Sequence, residues 1–246
     1  ILHNGFQNQV SRNCLQKNNG DGQSFSDVAL MAGVSATDWS WAPLLADFDN
    51  DGNKDLFVSS GIVKRPTDLD YVQYIGDLSK HTNRNASDQY DDISIKKMPD
   101  GASHPFLFRN EGNGSFRDES DSWGTGKMKG YYNGAAYADL DNDGNLDLLI
   151  NCLNSPAIVL KNNAPKMNYL SLSFKGEGMN KFGIGAKAYL WAHGKTADSS
   201  FMQYHELMLT RGFQSSCDTR LHFGLGRGNQ PDSLLIVWPD QKFQLL

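Results

Sequence analysis

Little in this 246-residue sequence is of the kind that marks an enzyme, a membrane span or a nucleic-acid binder. Only three cysteines occur, Cys14, Cys152 and Cys217. They have no metal-ligand spacing and cannot all pair, so buried, unpaired thiols are expected and cysteine usage leaves the compartment open. No basic run or basic helix appears, which argues against a nucleic-acid partner. No apolar stretch approaches the length needed to span a bilayer. Neither a nucleophile elbow nor an H-E-x-x-H or Ser–Lys pattern is present. His205 has Glu206 beside it, but neighbours along a strand point to opposite faces. The glycine run "FGLGRGN" (Gly224, Gly226, Gly228) leads into a strand pattern, with no helix N-terminus to hold phosphate. The sequence opens without an initiator Met or a signal peptide, so a processed or cut chain is expected.

What the chain does have is aspartate, gathered in two places. "ADFDNDGNKDLFVSSG" (46–61) and "ADLDNDGNLDLLINCL" (138–153) each place four aspartates within nine residues. Asp47, Asp49, Asp51 and Asp55 form the first set; Asp139, Asp141, Asp143 and Asp147 form the second. Packed carboxylates repel, so a folded loop holding four of them needs a cation. Hard oxygens at alternate positions suit Ca²⁺, which takes about six to eight of them. Gly52 and Gly144 stand where such a loop must turn sharply, and Asn53 and Asn145 where a backbone carbonyl supplies a ligand. The EF-hand alternative requires a bidentate Glu at the twelfth position. Here that position is Val58 or Ile150, neither of which can bind a metal. The closing acid comes at the ninth position and runs into "LFVSS" or "LLIN", a buried-strand pattern. Two strand–loop–strand Ca²⁺ sites are the resulting expectation, against Asx-rich turns without an ion.

The charge agrees with local acidity. Lys and Arg number 23 and Asp and Glu 28, a net of −5, and eight of the acids lie in these two loops. Two Ca²⁺ ions would bring the formal sum to −5 + 4 = −1. Because free Ca²⁺ is scarce in cytosol, weak structural sites point outside the cell.

The repetition extends beyond the aspartates. "KNNGDGQSFSDV" (17–28) aligns with "RNEGNGSFRDES" (109–120), and Asn18 precedes Asp47 by the same 29 residues that separate Asn110 from Asp139. "WSWAPLLADF" and "YYNGAAYADL" lie between turn and loop and read as strands; "LKNN" (160–163) begins a third turn. One copy carries an insertion of about 40 residues, roughly 64–104. Within it, Tyr71, Tyr74, Ile75 and Leu78 fall at helical spacing, with Thr67 and Asp70 as a capping box, and a second short helix is expected over 86–101. The insertion is read either as a partner-binding excursion, its apolar face packed on the repeats, or as a cap. Trp39, Trp41, Trp123, Tyr131 and Tyr132 near the repeat turns fill space between sheets or stack on sugar rings. From 166 to 246 short alternating strands predict a separate small β-sandwich or barrel, broken off within "KFQLL", as in the middle of a strand.

The turn "NNGDG-x-F-x-D" and the "ADFDNDGNKDLFV" and "ADLDNDGNLDLLIN" segments resemble FG-GAP/VCBS repeats. The tail, from "NKFGIGAKAYLW" through "RGFQSSCDTRLHFGLG" to "DSLLIVWPD", resembles the ASPIC/UnbV domain that follows such repeats in cartilage acidic protein and many bacterial surface proteins. The resemblance implies an all-β chain: Ca²⁺-binding β-propeller blades over 1–165, interrupted by the helical insertion, then an ASPIC/UnbV-like β domain over 166–246. Two full repeats are present where such propellers close with about seven blades, which implies part of a longer chain. The function implied is a non-catalytic extracellular protein-interaction or adhesion module, bacterial and outer-membrane associated. A carbohydrate-binding propeller and an accessory part of a glycan-acting enzyme are the alternatives.

Overall fold

The computed structural model describes residues 12–81, 94–193, 200–227 and 230–246. The fold is mostly β, 42% strand against 8% helix, and the described residues do not close a propeller. The chain opens with a hairpin of β1 (Gln16–Asn18) and β2 (Phe25–Asp27), followed by the single helical turn α1 (Ala29–Ala32). The first repeat sheet has the order β3-β4-β7-β8, from Ser40–Ala46, Asp55–Ser60, Phe106–Asn110 and Phe116–Asp118. The second is β11-β10-β9, with β9 Tyr132–Ala138, β10 Asp147–Cys152 and β11 Ile158–Leu160. Between β4 and β7 the chain forms the ribbon β5 (Ile62–Lys64) and β6 (Asp100–Gly101), with α2 (Leu69–His81) beyond it.

Burial on both faces explains why β4 reads as an unbroken apolar run. Leu56 and Val58 point into a core with Ala29, Ala32, Val34 and Phe108, whereas Phe57 points the other way, against Ala42, Leu44, Ala135 and Ile150. Successive side chains alternate across a strand, so a strand covered on both sides needs no polar face. The second of these cores lies between the two repeat sheets and holds them together.

Three expectations for the insertion and the thiols are corrected. The cap of α2 is Asp68, not Thr67: Asp68 Oδ1 accepts a bond from Tyr71 N at 3.0 Å and its carbonyl accepts from Val72 N at 2.9 Å. Carboxylate and carbonyl of one residue thus serve the first-turn donors, leaving nothing for Thr67 to do. Tyr71, Tyr74, Ile75 and Leu78 do form the half-buried face of α2. Tyr71 and Tyr74, however, line a depression with Lys97 and Pro99, the returning limb of the insertion itself. Of the second helix, residues 94–97 are helical; the part over 86–93 lies outside the described residues. All three cysteines are free thiols, but only Cys152 is buried, Cys217 is half-buried and Cys14 is exposed.

The tail is two sheets face to face. β12 (Asn168–Ser173) pairs with β15 (Arg220–Gly226), and β13 (Lys187–His193), β14 (Phe201–Glu206), β16 (Gln230–Val237) and β17 (Phe243–Leu245) take the order β14-β13-β16-β17. Ala188, Leu190 and Ala192 point inward from β13 onto Leu221, Phe223, Leu225, Leu234 and Ile236, forming a core of their own. The tail is nevertheless not free of the repeats. Phe213 and Cys217, from the loop between β14 and β15, pack into the core between the repeat sheets. Gly212 lies so close to Ala42 and Leu44 that an added Cβ would meet them at 3.2 Å.

Candidate metal centre

Each Asp-rich loop connects two adjacent strands of a repeat sheet, β3 to β4 and β9 to β10. The internal bonding of the two is the same. Asp47 accepts from Asp51 N at 3.1 Å and Gly52 N at 2.8 Å, and Asp139 accepts from Asp143 N and Gly144 N, both at 3.1 Å. Asp55 reaches back to Phe48 N at 3.0 Å, as Asp147 does to Leu140 N at 3.1 Å. Gly52 and Gly144 have φ of 98° and 92°, a region that L side chains rarely adopt.

This bonding turns carboxylate oxygens inward. Asp47, Asp49 and Asp55 each offer one oxygen, all within 4.8 Å of one another, and Asp139, Asp141 and Asp147 do the same in the second loop. Asp51 and Asp143 stand outside these trios. Asp51 Oδ1 accepts from Asn53 N at 2.8 Å and Nδ2 at 3.0 Å; Asp143 Oδ1 accepts from Asn145 N at 2.9 Å. Asn145 also donates from Nδ2 to Ala164 O at 3.3 Å. Burial pushes the Asp47 carboxyl up to about 8 and that of Asp55 up to about 7, and raises that of Asp49 as well, with the neighbouring acids adding to the effect. Hard oxygens, convergent and partly withdrawn from water, are a donor set that fits a hard divalent cation.

Four further residues serve the loops, all from the turns that follow. Arg109 reaches Asp49 at 2.8 Å and Asp51 at 3.3 Å, and Lys161 pairs with Asp141 and lies 3.7 Å from Asp143. Asn110 N donates to Asp55 Oδ1 at 2.9 Å, and Asn162 N to Asp147 Oδ1 at 2.8 Å. The signal is present in the sequence, since both turns begin with a basic residue and Asn, Arg109–Asn110 and Lys161–Asn162.

The family model described as FG-GAP-like repeat matches residues 6–58 and 87–150, each segment holding one turn and one Asp-rich loop, and that described as ASPIC and UnbV matches 176–246. The chain is an FG-GAP-like repeat protein with an ASPIC/UnbV domain. No curated protein matches it. FG-GAP-like repeats often bind Ca²⁺ and are commonly extracellular, and both kinds of unit are typically non-catalytic. Among the described residues no helix is long and apolar enough to cross a membrane.

Of the aromatics near the FG-GAP turns, Tyr132 is buried between the repeat sheets and Trp123 packs against that core. Trp41 tilts on Phe213 of the ASPIC/UnbV domain at 4.8 Å, its indole donating to Gly61 O at 2.8 Å. Tyr131 instead binds Asp100 at 2.8 Å, tying the ribbon of the insertion to the second repeat. The His205 ring tilts against Phe223 with centroids 4.2 Å apart, and desolvation holds its pKa down to about 2, so it is a half-buried neutral residue against the tail's core.

The placement of Arg109 gives a signed prediction. Its guanidinium stands on the same carboxylates that a cation would use, so Arg109→Gln removes a competing positive charge. Calcium binding at the first FG-GAP loop should tighten by roughly three- to tenfold, about 1 kcal/mol of relieved repulsion. Calorimetric titration of variant and wild type decides it; weaker binding would mean that Arg109 shapes the loop instead.

Proposed function

We propose that the chain is a calcium-stabilised, non-catalytic binding module that works outside the cell. Its repeat sheets are neighbouring blades of a β-propeller, and it serves a larger bacterial surface or outer-membrane assembly. One observation carries the reading: in both FG-GAP loops three carboxylates converge within 4.8 Å, and in the first of them burial raises their pKa values. A cation there neutralises the acids and pins the loop, so that the flanking strands keep register. In the first loop Asp47, Asp49 and Asp55 hold it, and in the second Asp139, Asp141 and Asp147; Asp51, Asp143 and the carbonyls of Asn53 and Asn145 complete the expected set. Among the described residues the carboxyls with raised pKa are Asp47, Asp49 and Asp55, all of the candidate metal site, which supports the non-catalytic reading. Calorimetry on chelator-treated protein should count two calcium ions per chain; a chain that takes up none sinks the reading.

A protein partner is favoured by the outer face of the four-stranded ASPIC/UnbV sheet. Trp191, Met202, Tyr204, Phe243 and Leu245 are all exposed there, a broader apolar surface than a sugar platform needs. The second reading, glycan binding, draws on a cavity of about 770 Å³ between the repeat sheets, lined by Trp123, Arg109, Lys161 and Glu119 among others. Trp191→Ser with Tyr204→Ser should abolish capture of the surface partner and leave calcium binding intact. Loss of glycan retention in Trp123→Ala, with protein capture kept in the double variant, would favour the glycan reading. Replacing 64–104 with a short Gly/Asn turn tests the insertion: retained folding with lost capture would move the interface there.

A further inference from the structure

Two side chains join the two FG-GAP loops: Asn162 Nδ2 donates to Phe48 O at 2.7 Å and to Leu146 O at 3.1 Å, and Asn50 reaches from inside the first loop into the second. Asn50 is the fourth residue of the first loop and is almost wholly buried, 1% exposed. Its Nδ2 donates to Gly144 O at 2.9 Å and to Asn145 Oδ1 at 3.2 Å, both in the second loop. With both amide hydrogens committed, Oδ1 must face the remaining neighbour, His222 Nε2 at 2.5 Å, which assigns the proton to that nitrogen. The carbonyl of Asn50 accepts from Gly226 N at 2.7 Å. Both side-chain amide hydrogens therefore go to the other loop, and the side-chain and main-chain oxygens of Asn50 to the ASPIC/UnbV strand β15.

A second route closes the ring. His222 stacks on Tyr169 with centroids 5.4 Å apart, and the Tyr169 ring covers Gly144 so tightly that a Cβ there would collide with it. The path thus runs from the first loop through Asn50 to Gly144, then through Tyr169 and His222 back to Asn50. The equivalent residue of the second loop does nothing of the kind. Asn142 has the same left-handed backbone, φ 59° against 58° for Asn50, but is exposed, and its Oδ1 accepts from Arg220 Nη1 at 3.1 Å and not from the other loop. The identical letters "DNDG" therefore carry one bridging and one non-bridging asparagine.

We propose that Asn50 couples the two FG-GAP loops into one cooperative calcium-binding unit seated under the ASPIC/UnbV sheet. The proposal rests on the cation reading above. Fixing residues 47–55 around an ion fixes Asn50, and Asn50 then holds the Gly144 carbonyl and Asn145 in the geometry the second loop needs. Coupling of this kind is reciprocal, so either loop, once filled, tightens the other. Typical couplings lie at about 5- to 150-fold, and two direct bonds through a buried amide place this one near tenfold.

The test is a calcium titration of the whole chain by calorimetry after chelator treatment. Wild type should show its second ion binding about tenfold tighter than its first, after the statistical factor. Asn50→Gly keeps the left-handed backbone, which glycine adopts freely, but removes the bridge, and should bind two ions independently. Disabling the second loop with Asp139→Asn and Asp141→Asn should weaken the first about tenfold in wild type and not in Asn50→Gly. Independent binding in wild type, or equal loss of affinity in both backgrounds, overturns the proposal. If Asn50→Gly does not fold, the loop-disabled chain decides alone: an unchanged first loop overturns it and a tenfold weaker one supports it. Absence of any calcium heat is a different result, which removes the cation reading and this proposal together.

Discussion

Moving the chain from millimolar calcium into a chelator lowers its melting temperature by roughly 10–20 °C. An ion that binds only the folded state stabilises it by about 2.7 kcal/mol at one hundred times its dissociation constant, and two loops double that. A chain of this size loses roughly 2–4 °C per kcal/mol. The pH dependence follows from the first loop. Asp47 and Asp55 have folded pKa values raised to about 8 and about 7, above their ordinary 3.8. In calcium-free protein a raised acid contributes stability that is complete below about 4 and is lost as pH rises through those values. The chelated chain should therefore melt lower at pH 8 than at pH 6. A cation needs the ionised acids, so the gain on adding calcium should widen over the same interval. Asp55→Ala should fall further than chelation does, because Phe48 N and Asn110 N lose their acceptor along with the ion's ligand. Scanning calorimetry at both pH values, with and without chelator, checks all of this; superimposable melting curves would refute it.

The loops were legible in the sequence because their information is local. Alternate aspartates, a glycine after the third and an acid at the ninth position all act within nine residues, and the strands on either side follow from apolar runs too short for helices. The repeat made β3, β4, β9 and β10 readable in the same way. Thr67, Asp68 and Asp70 all lie within four residues and all can cap a helix, so only backbone geometry chooses among them. The junction with the tail was not legible at all. Asn50 meets His222 across 172 residues of sequence, and nothing near either residue marks the pairing. Nor does the letter help, since Asn142 occupies the same place in the same motif and lies exposed. The segment "RGFQSSC" (211–217) is legible as part of the ASPIC/UnbV pattern. Its role, driving Phe213 and Cys217 into the core between the repeat sheets, needed the fold.

Gly224→Ala should release that junction. Gly224 sits in β15 directly over the first loop: a Cβ built there collides with the Asp47 carboxylate and stands 2.7 Å from the Cα and carbonyl carbon of Asn50. The carboxylate can swing, but Asn50 is held on three sides by Gly144, His222 and Gly226 and its backbone cannot. Either β15 lifts, breaking the Gly226 N–Asn50 O bond and the 2.6 Å bond from Gln203 Nε2 to Gly224 O, or Asp47 leaves its position. Overpacking of this kind costs about 3 kcal/mol or more, roughly 6–12 °C in melting temperature for a chain of this length. Displacement of Asp47 should also weaken calcium at the first loop at least about tenfold, the effect of losing one good charged ligand contact worth roughly 1.4 kcal/mol. Gly76→Ala is the control: it lies within α2, a Cβ there meets nothing within 4 Å, and alanine is the better helix former. That variant should melt at or slightly above wild type. If Gly224→Ala melts with it and binds calcium as tightly as wild type, β15 does not lie on the loop, and the tail is a domain that merely follows the repeats.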